Sequence, residues 1–310
     1  MLEQCDDMAS ERAPVSVVIP VYNDPRGIRM TLDAVTDQTY PSDAYEVLVA
    51  DNGSTDDTRE VVREYVDRFP DLVTLLVEDE VQGPAAARNE AIRNASGDIL
   101  AFIDADMTVE KTWLEDAVES LEGNDWDYMG CDVEIYLEDG KDTLTAKYNQ
   151  IFGFPIQRYI EEQQFSGTGC LVTRKEVFDD VGLFDERLFS GEDEEFGNRV
   201  HDAGFDQHYQ PAITMYHPAR ASLPSFLKKH FRLGRGKAQM QRYHPERVEK
   251  PSVLNPRHYL PPHPVRFYRR VTEAASVSAT DVLLLYLIAY AKRLTATAGW
   301  AYEHFGSEES

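Results

Sequence analysis

The sequence has few cysteines, and their arrangement carries information. The three cysteines, Cys5, Cys131 and Cys170, are odd in number, widely spaced and never form a CxxC pair. This pattern argues against a disulfide framework and against a thiolate metal site. The N-terminus, MLEQCDDMASER, is polar and acidic and lacks the apolar core of a signal peptide. We therefore expect the chain to remain in a reducing cytoplasm.

Several catalytic motifs and long apolar runs are also missing. The chain has no P-loop, no GxGxxG after the first predicted strand and no GxSxG. Kinase, dinucleotide-oxidoreductase and serine-hydrolase functions therefore have no support. The apolar run at residues 282–291 has ten residues, whereas a helix that crosses a bilayer takes ~20. This run predicts a buried or interfacial helix.

Acidic residues far outnumber basic ones. The chain of 310 residues carries 55 Asp and Glu against 31 Lys and Arg, which gives a formal net charge of −24, and only nine of the bases are Lys. High salt screens the repulsion among so many carboxylates, which also keep a protein soluble. We therefore hypothesise a halophilic source, and the alternative is an ordinary acidic protein.

The basic residues are concentrated near the C-terminus. Residues 219–272 contain 13 Lys and Arg and only two acids. Within residues 225–241, cations and apolar side chains alternate at nearly helical spacing, which favours an amphipathic helix on an anionic membrane or a binding site for the phosphate of a lipid-linked substrate. The alternative is a basic face that folds onto the acidic domain. Nucleic acid is disfavoured as a partner because the rest of the chain would repel it. The cations are Lys228, Lys229, Arg232, Arg235 and Lys237, beside Phe226, Leu227, Phe231 and Leu233.

The first half of the chain alternates apolar strands with helices, which predicts an α/β fold with a mostly parallel central sheet and helices on both faces. Ligands of such sheets bind beyond the carboxyl ends of the strands. The middle of the chain is mixed, and residues 250–264 predict a Pro-rich linker. Strands are predicted at 15–20, 46–50, 73–77, 99–103, 128–135 and 170–173, and helices at 26–38, from Thr55 to about 69, 85–95, 147–164 and 225–241.

Two carboxylates follow the fourth predicted strand directly. Asp104 and Asp106 are separated by one residue in a tight turn, so both can face one hard cation. Mg²⁺ or Mn²⁺ would use them together with diphosphate oxygens. The alternative is a solvated acidic turn, which is common in an acidic protein.

Six motifs in order resemble the inverting glycosyltransferases of family 2, which have the GT-A (nucleotide-diphospho-sugar transferase) fold. The match covers about residues 15–217. It implies an N-terminal extension at 1–14, a GT-A domain at 15–218 with a nucleotide-binding half (15–106) and an acceptor half (107–218), and a C-terminal helical tail at 219–310. The motifs are VVIPVYN at 17–23, DNGSTDDT at 51–58, GPAAARN at 83–89, GD at 97–98 with IDAD at 103–106, GLFDE at 182–186 and GEDEEF at 191–196.

The resemblance implies a role for each matching residue in binding the nucleotide sugar. Pro20, Tyr22 and Asn23 would contact the nucleoside, and Asp51 would accept a hydrogen bond from the ring N–H of the base. The remaining roles are Arg88 near the phosphates, Asp104 at the ribose or a metal-bound water, and Asp106 on the metal.

The resemblance also implies the catalytic groups. Asp193 would be the general base that takes the proton of the acceptor hydroxyl, and Glu192 would help to position the acceptor. The alternative is a solvated acidic helix start, which suits the helix dipole. His217 would be a third metal ligand, because neutral imidazole suits Mn²⁺, or else a structural histidine.

Together these features predict an enzyme that transfers a hexuronic acid or a hexose from a UDP-sugar, with Mn²⁺ or Mg²⁺. The sequence resembles haloarchaeal members of the family that assemble lipid-linked glycans for N-glycosylation of surface-layer proteins. The expected acceptor is therefore a dolichyl-phosphate-linked glycan, at the cytoplasmic face of the cell membrane, with the protein bound peripherally. Two alternatives stay open: a synthase that transfers the sugar directly to polyprenyl phosphate, and a non-catalytic nucleotide-sugar-binding scaffold.

The acidic composition predicts a dependence of folding on salt. The Debye length grows from about 3 Å at 1 M to about 10 Å at 0.1 M, so carboxylate repulsion strengthens on dilution. We expect the circular dichroism signal of the fold to be lost in low salt and to return when molar salt is restored. A spectrum that is unchanged at 0.1 M salt would identify an ordinary acidic protein.

Overall fold

The structure is a computed structural model that describes residues 12–248 and 259–306. The predicted extension up to residue 11, with Cys5, and residues 250–258 of the predicted linker lie outside the described residues. Eight strands form one sheet in the order β3-β2-β1-β4-β7-β6-β8-β5. They are β1 (Val15–Val21), β2 (Tyr45–Asp51), β3 (Val73–Val77), β4 (Ile99–Phe102), β5 (Thr108–Val109), β6 (Tyr128–Tyr136), β7 (Leu171–Arg174) and β8 (Gln207–Pro218).

Eleven α-helices occur in the described residues, and a 3₁₀ turn at Thr168–Cys170 precedes β7. Helices from the first two thirds of the chain cover both faces of the sheet, as predicted. The helices are α1 (Pro25–Val35), α2 (Thr58–Arg68), α3 (Pro84–Asn94), α4 (Trp113–Asn124), α5 (Leu144–Phe152), α6 (Ile156–Gln163), α7 (Lys175–Val181), α8 (Glu192–Asp202), α9 (Leu223–Tyr243), α10 (Pro264–Ala274) and α11 (Ala279–Gly306).

Alternate side chains of each buried strand enter two cores, one on each face. In β1, Val17 and Ile19 pack with α1, α2 and α4, while Val18 packs with α3, α7 and α8. Burial on both faces explains why the strands are continuous apolar runs without polar alternation. Burying such a side chain stabilises the fold by roughly 1.5–3 kcal/mol.

The sheet is mostly parallel, with antiparallel pairs where the second half of the chain joins it. Strands β3, β2, β1 and β4 are mutually parallel, and so are β6 and β8. β7 is antiparallel to β4 and β6, and β5 is antiparallel to β8. In the register of the parallel strands, Val21 pairs with Asp51, and Asp51 with Val77. The polar loops that follow these strands therefore share one edge of the sheet.

Three predicted helices differ from those observed. The helix predicted at 26–38 ends at Val35, with Thr36 at its C-cap. The predicted helix at 147–164 is two helices, α5 and α6, because Pro155 follows the break and disfavours helical backbone before it. The helix predicted from Thr55 begins at Thr58 with Asp57 at its N-cap. Asp56 accepts from the backbone N–H of Thr58 at 3.1 Å, and this local turn delays the start of the helix.

The C-terminal helix is much longer than its apolar run predicted. α11 has 28 residues, and among the described helices it alone has the length and apolar composition of a membrane span, criteria that core helices of soluble proteins also meet. It lies against α9 at two glycines: a Cβ at Gly234 would overlap the carbonyl oxygen of Ala296, and one at Gly299 that of Phe231. The backbones of the two helices therefore approach closely.

Replacing Gly234 tests this close packing. Ala favours a helix over Gly by about 1 kcal/mol, but its methyl group would force α9 and α11 apart. Gly234→Ala should therefore lower the free energy of unfolding by about 1–3 kcal/mol, measured by denaturant titration in molar salt. The matched control is Gly123→Ala on α4, where the added Cβ meets no atom within 4 Å, and it should be neutral or stabilising. Equal effects of the two variants would refute close packing of α9 on α11.

Candidate active site

A cavity of about 1230 Å³ opens at the carboxyl edge of the parallel strands. Its walls come from the loops after β1, β2 and β4, from the start of α8, and from α9 and α11. Two of the predicted site residues, Asn23 and Asp51, lie outside its lining. Eight line it: Pro20, Tyr22, Arg88, Asp104, Asp106, Glu192, Asp193 and His217.

The loop after β1 presents Tyr22 to the cavity and uses Asn23 for another purpose. Asn23 has a positive φ of 50°. Its backbone N–H donates to Ser54 Oγ at 2.9 Å, and its Oδ1 accepts from the backbone N–H of Thr55 at 2.8 Å. These bonds tie the loops after β1 and β2 together, while the Tyr22 side chain is 53% exposed. Asn23 therefore holds the loop in place, and Tyr22 is the accessible contact.

Asp51 lies behind the cavity wall and is fully buried. One carboxylate oxygen accepts from the backbone N–H of Ser54 at 3.0 Å and from the Arg59 guanidinium. The other, Oδ2, has no hydrogen-bond partner among the described residues. A buried acceptor without a donor is unfavourable by about 1–3 kcal/mol. This oxygen is therefore suited to a donor from a ligand.

Arg88 joins the two acidic motifs. From α3, its Nη1 donates to Glu192 Oε1 at 2.8 Å and its Nη2 donates to Asp104 Oδ1 at 3.0 Å. Burial opposes the charge of Arg88, but Asp104 and Glu192 outweigh burial and hold its pKa above the usual value. Both Nη groups therefore contact protein carboxylates, a bridge that the motif positions alone did not indicate.

Asp193 faces the cavity one residue after Glu192, in the first turn of α8. Its Oδ1 accepts from the backbone N–H of Glu194 at 2.9 Å. Burial, and then the negative charge of Glu192, raise the pKa of Asp193 to about 7. A carboxyl group that titrates near neutral pH can take up and release a proton, which is the property of a general base.

His217 and Asp106 lie next to each other in the cavity wall. His217 Nε2 is 3.6 Å from Asp106 Oδ1, and His217 Nδ1 donates to the carbonyl oxygen of Pro218 at 2.7 Å. That bond leaves the lone pair on Nε2, the tautomer that a metal-binding histidine needs. Within the part of the chain that the structure describes, no three His, Cys, Asp or Glu form a complete metal site. A cation here would take its other ligands from a bound molecule.

No sequence-based prediction covered one feature of the site. A Cβ at Gly169 would lie 2.6 Å from Asp104 Oδ2, so the turn before β7 passes over the Asp104 carboxylate and must have glycine there. The glycine pair at 167 and 169 was the available signal. In addition, Lys229, Arg232 and Lys237 line the cavity, which favours the predicted phosphate-binding alternative for these cations over the membrane-facing one.

Comparisons with known proteins place the chain in a family. The profile of "Glycosyl transferase family 2" matches residues 16–182. Glycosyltransferase AglE of Haloferax volcanii is 36% identical over 97% of this chain and 100% of its own length. A protein of Methanococcus voltae, named dolichyl N-acetyl-alpha-D-glucosaminyl phosphate 3-beta-D-2,3-diacetamido-2,3-dideoxy-beta-D-glucuronosyltransferase, is 26% identical over 74% of each chain.

Solved structures share the fold. The mannosyltransferase PcManGT of Pyrobaculum calidifontis, in complex with GDP-Man and Mn²⁺, has a TM-score of 0.63 at 22% identity, over 95% of this chain and 88% of that one. Residues 1–349 of TarS from S. aureus, in complex with UDP-GlcNAc, have a TM-score of 0.54 at 16% identity, over 96% and 92%. These likenesses confirm the predicted GT-A fold.

The raised pKa of Asp193 predicts that this residue lowers the free energy of unfolding at the pH where it can act as a base. Asp193 binds its proton more tightly in the folded chain than in the unfolded one, so ionising it opposes folding. The resulting loss of folding free energy begins as pH rises above about 4 and is complete above about 7. Asp193→Asn should therefore raise the free energy of unfolding at pH 8 by about 1 kcal/mol or more, with no gain below pH 4.

Denaturant titrations at both pH values, in molar salt with EDTA, measure this difference. The control Asp71→Asn changes an exposed carboxylate and should stay within about 0.5 kcal/mol of wild type. A destabilised Asp193→Asn protein at pH 8 would show that the folded environment favours the ionised form.

Proposed function

The chain belongs to glycosyl transferase family 2, and we propose that it transfers a sugar from a UDP-sugar, with inversion, onto a dolichyl-phosphate-linked glycan. We assign nucleotide binding to residues 15–106 and acceptor binding to residues 107–218. The name of the Methanococcus relative specifies a glucuronosyl-type sugar and a dolichyl-phosphate-linked acceptor, which supports a hexuronic acid as the sugar and a lipid-linked glycan as the acceptor.

One observation carries the proposal: Asp193 faces the cavity with its pKa raised to about 7, next to a Glu192 that Arg88 holds. Asp193 would accept the proton of the acceptor hydroxyl as that oxygen attacks the anomeric carbon. The bond from the anomeric carbon to the diphosphate breaks on the opposite face, so a single displacement inverts the centre. The electron pair of that bond leaves with the UDP.

Asp106 and His217 would hold a divalent cation, Mn²⁺ or Mg²⁺. Bound there, the cation would supply positive charge to the departing diphosphate. The free Nε2 lone pair of His217 and the oxygen of Asp106 are a donor set that suits Mn²⁺. Asp104 accepts a hydrogen bond from Arg88, so we assign it a supporting role beside the metal rather than a place among its main ligands. The PcManGT complex contains Mn²⁺, which supports a divalent cation as the cofactor.

The loop after β1 and the buried Asp51 would recognise the nucleoside. Tyr22 offers a flat surface at the cavity edge, and Pro20 lies beside it. The unpaired Oδ2 of Asp51 suits the ring N–H of uracil, which is a donor. Reaching it requires the base to displace part of the wall that covers Asp51.

The exposed apolar surface of α10 and α11 supports a peripheral position on the membrane. Val265 and Tyr268 on α10 are 69% and 58% exposed, and Leu283 and Leu287 on α11 are 59% and 52% exposed. On α10 these side chains stand among exposed arginines that would attract anionic lipid headgroups. The surface therefore combines exposed apolar side chains with cations, the two features of an interfacial helix pair. The arginines are Arg266, Arg269 and Arg270.

Nucleotide release from a panel of UDP- and GDP-sugars tests the proposal. The assay runs in molar salt with Mn²⁺ or Mg²⁺, with and without lipid-linked acceptor. We expect metal-dependent turnover of one UDP-sugar, reduced roughly 10²-fold or more in Asp193→Asn and also lost in Asp106→Ala. The exposed-site control Asp71→Asn should keep wild-type rates.

The outcomes separate the alternatives. Asp193→Asn should lose transfer but still bind UDP, and a wild-type protein that binds UDP without turning over any donor would be a scaffold. Equal use of polyprenyl phosphate with and without a preceding sugar would favour the direct synthase. A chain that binds no nucleotide would overturn the assignment.

A further inference from the structure

Four buried or half-buried basic side chains line the cavity without a carboxylate partner among the described residues. They come from the segment after β8, from α9 and from α11. In the described ranges, 12–248 and 259–306, Arg220 donates only to Ser225 Oγ from its side chain, at 3.1 Å. None of the four forms an ion pair within the part of the chain that the structure describes. The four are Arg220, Lys229, His230 and Lys292.

The missing partners do not reflect a shortage of acids. Lysines elsewhere on this acidic chain do pair: Lys111 lies 2.7 Å from Asp37, and Lys141 lies 2.6 Å from Glu138. Lys292 instead lies over the Tyr148 ring, with Nζ 5.7 Å from its centroid. Buried cations without a counter-charge are unfavourable, so such a group suits an anion supplied from outside.

The electrostatics of the group point the same way. Burial, and then neighbouring cations, lower the pKa of Lys229 to about 8 and that of His230 to about 3. The pKa of Lys292 is also lowered, by burial first and then by Arg293. An anion among these groups would relieve both the burial penalty and the mutual repulsion.

Lys229 lies towards the carboxylates of the donor end, and Lys292 lies against α5. After burial, Arg220 and Arg232 lower the pKa of Lys229 most, and the charges of Asp104 and Asp106 raise it. The Nζ of Lys229 lies 4.9 Å from the centroid of Phe154, which packs on His217. Lys229 therefore belongs to the donor end. The pKa of Lys292 on α11 responds to Arg293 rather than to either aspartate, and Lys292 lies with Tyr148 of α5.

We propose that Lys292 is the centre of an anion subsite that takes the phosphate of a lipid-linked acceptor, apart from the donor diphosphate. Arg220, which contacts the same helix α5 as Lys292 and also lowers the pKa of Lys229, would connect this subsite to the donor end. The inference rests on the proposed function, because that function supplies an acceptor with a phosphate. Arg220 is fixed for this task, since its backbone N–H donates to Asn149 Oδ1 at 2.8 Å. Its guanidinium keeps donors free beyond the single bond to Ser225.

A row of contacting aromatic rings runs from this subsite to α10 and α11. Ring centroids are 4.7 Å apart for Tyr148 and Phe152, 5.4 Å for Phe152 and Phe267, and 5.3 Å for Phe267 and Tyr286. Tyr286 stands on α11, on which Leu283 is exposed. A phosphate at Lys292 with an apolar chain against the cavity-lining rings Tyr148, Phe152 and Phe267 describes an isoprenyl phosphate, and free phosphate would use the cations alone.

Binding measurements without turnover test the subsite. Calorimetry in EDTA compares geranyl phosphate, geraniol, inorganic phosphate and UDP on the full chain. Wild type should bind geranyl phosphate more tightly than geraniol or inorganic phosphate. Lys292→Met keeps the length and the apolar stem of the side chain but removes its charge. It should weaken the binding of geranyl phosphate roughly 10-fold or more and leave the affinity for UDP unchanged.

Two control variants separate an effect of the Lys292 charge from a general loss of binding. Lys292→Arg retains the charge and should retain most of the geranyl phosphate affinity. Lys111→Met, at an exposed lysine far from the cavity lining, should bind like wild type.

Three results would overturn the subsite. The first is equal geranyl phosphate affinity in wild type and Lys292→Met, and the second is an equal loss of UDP affinity, which would place Lys292 at the donor. The third is inorganic phosphate binding as tightly as geranyl phosphate, which would remove the lipid as the source of the anion.

Donor turnover, measured separately, distinguishes failure of the subsite from failure of the proposed function. Lys292-dependent geranyl phosphate binding in a protein that turns over no donor would refute the function and leave the subsite standing. Normal donor turnover, with acceptor KM and geranyl phosphate binding unchanged in Lys292→Met, would refute the subsite alone.

Discussion

The buried bridge of Arg88 is the interaction on which the arrangement of the site depends. It joins Asp104, at the end of a central strand, to Glu192, at the start of α8, 88 residues later in the chain. Removing one partner of a buried ion pair is unfavourable by about 3–5 kcal/mol, because the other charge stays buried. Here loss of Arg88 would strand two carboxylates, and the donor and acceptor ends of the cavity would lose their common anchor.

The same bridge limits how far Arg88 stabilises the anion of Asp193, whose pKa is raised first by burial. Arg88 supplies one positive charge, while Asp104, Glu192 and Asp193 supply three negative charges nearby. Arg88 is committed to Asp104 and Glu192, so it only partly compensates Asp193, whose pKa stays raised by burial and by Glu192. A carboxylate with reduced stability as an anion is a better proton acceptor. Structure and chemistry therefore make opposite demands on this residue, and the fold tolerates the conflict because it is local.

The sequence predicted the features that depend on local pattern. Strand β3 was predicted at its observed bounds, and the position of Asp104 after an apolar strand indicated the edge where the cavity lies, because strand burial and strand ends follow from the run of side chains alone. Contacts between segments that are distant in the sequence could not be predicted from local pattern. The partners of Arg88 and the inward direction of Lys229 depend on how α3, α8 and α9 pack. The length of α11 depends likewise on the glycine contact with α9, and its residues 294–306 are too mixed in polarity to reveal a helix by themselves.

The distribution of charge fits an enzyme that must hold anions in concentrated salt. Exposed carboxylates repel one another less when ions screen them over a few ångströms, whereas partly buried charges are screened much less. A surface of acids and a cavity of unpaired cations therefore respond differently to the same solvent: salt weakens the repulsion on the outside and largely spares the attraction on the inside. Anions such as a diphosphate or a lipid phosphate would be repelled by the outer surface in dilute solution, and screening removes that barrier. The composition that lets the chain fold in salt thus also lets its cavity compete for phosphate there.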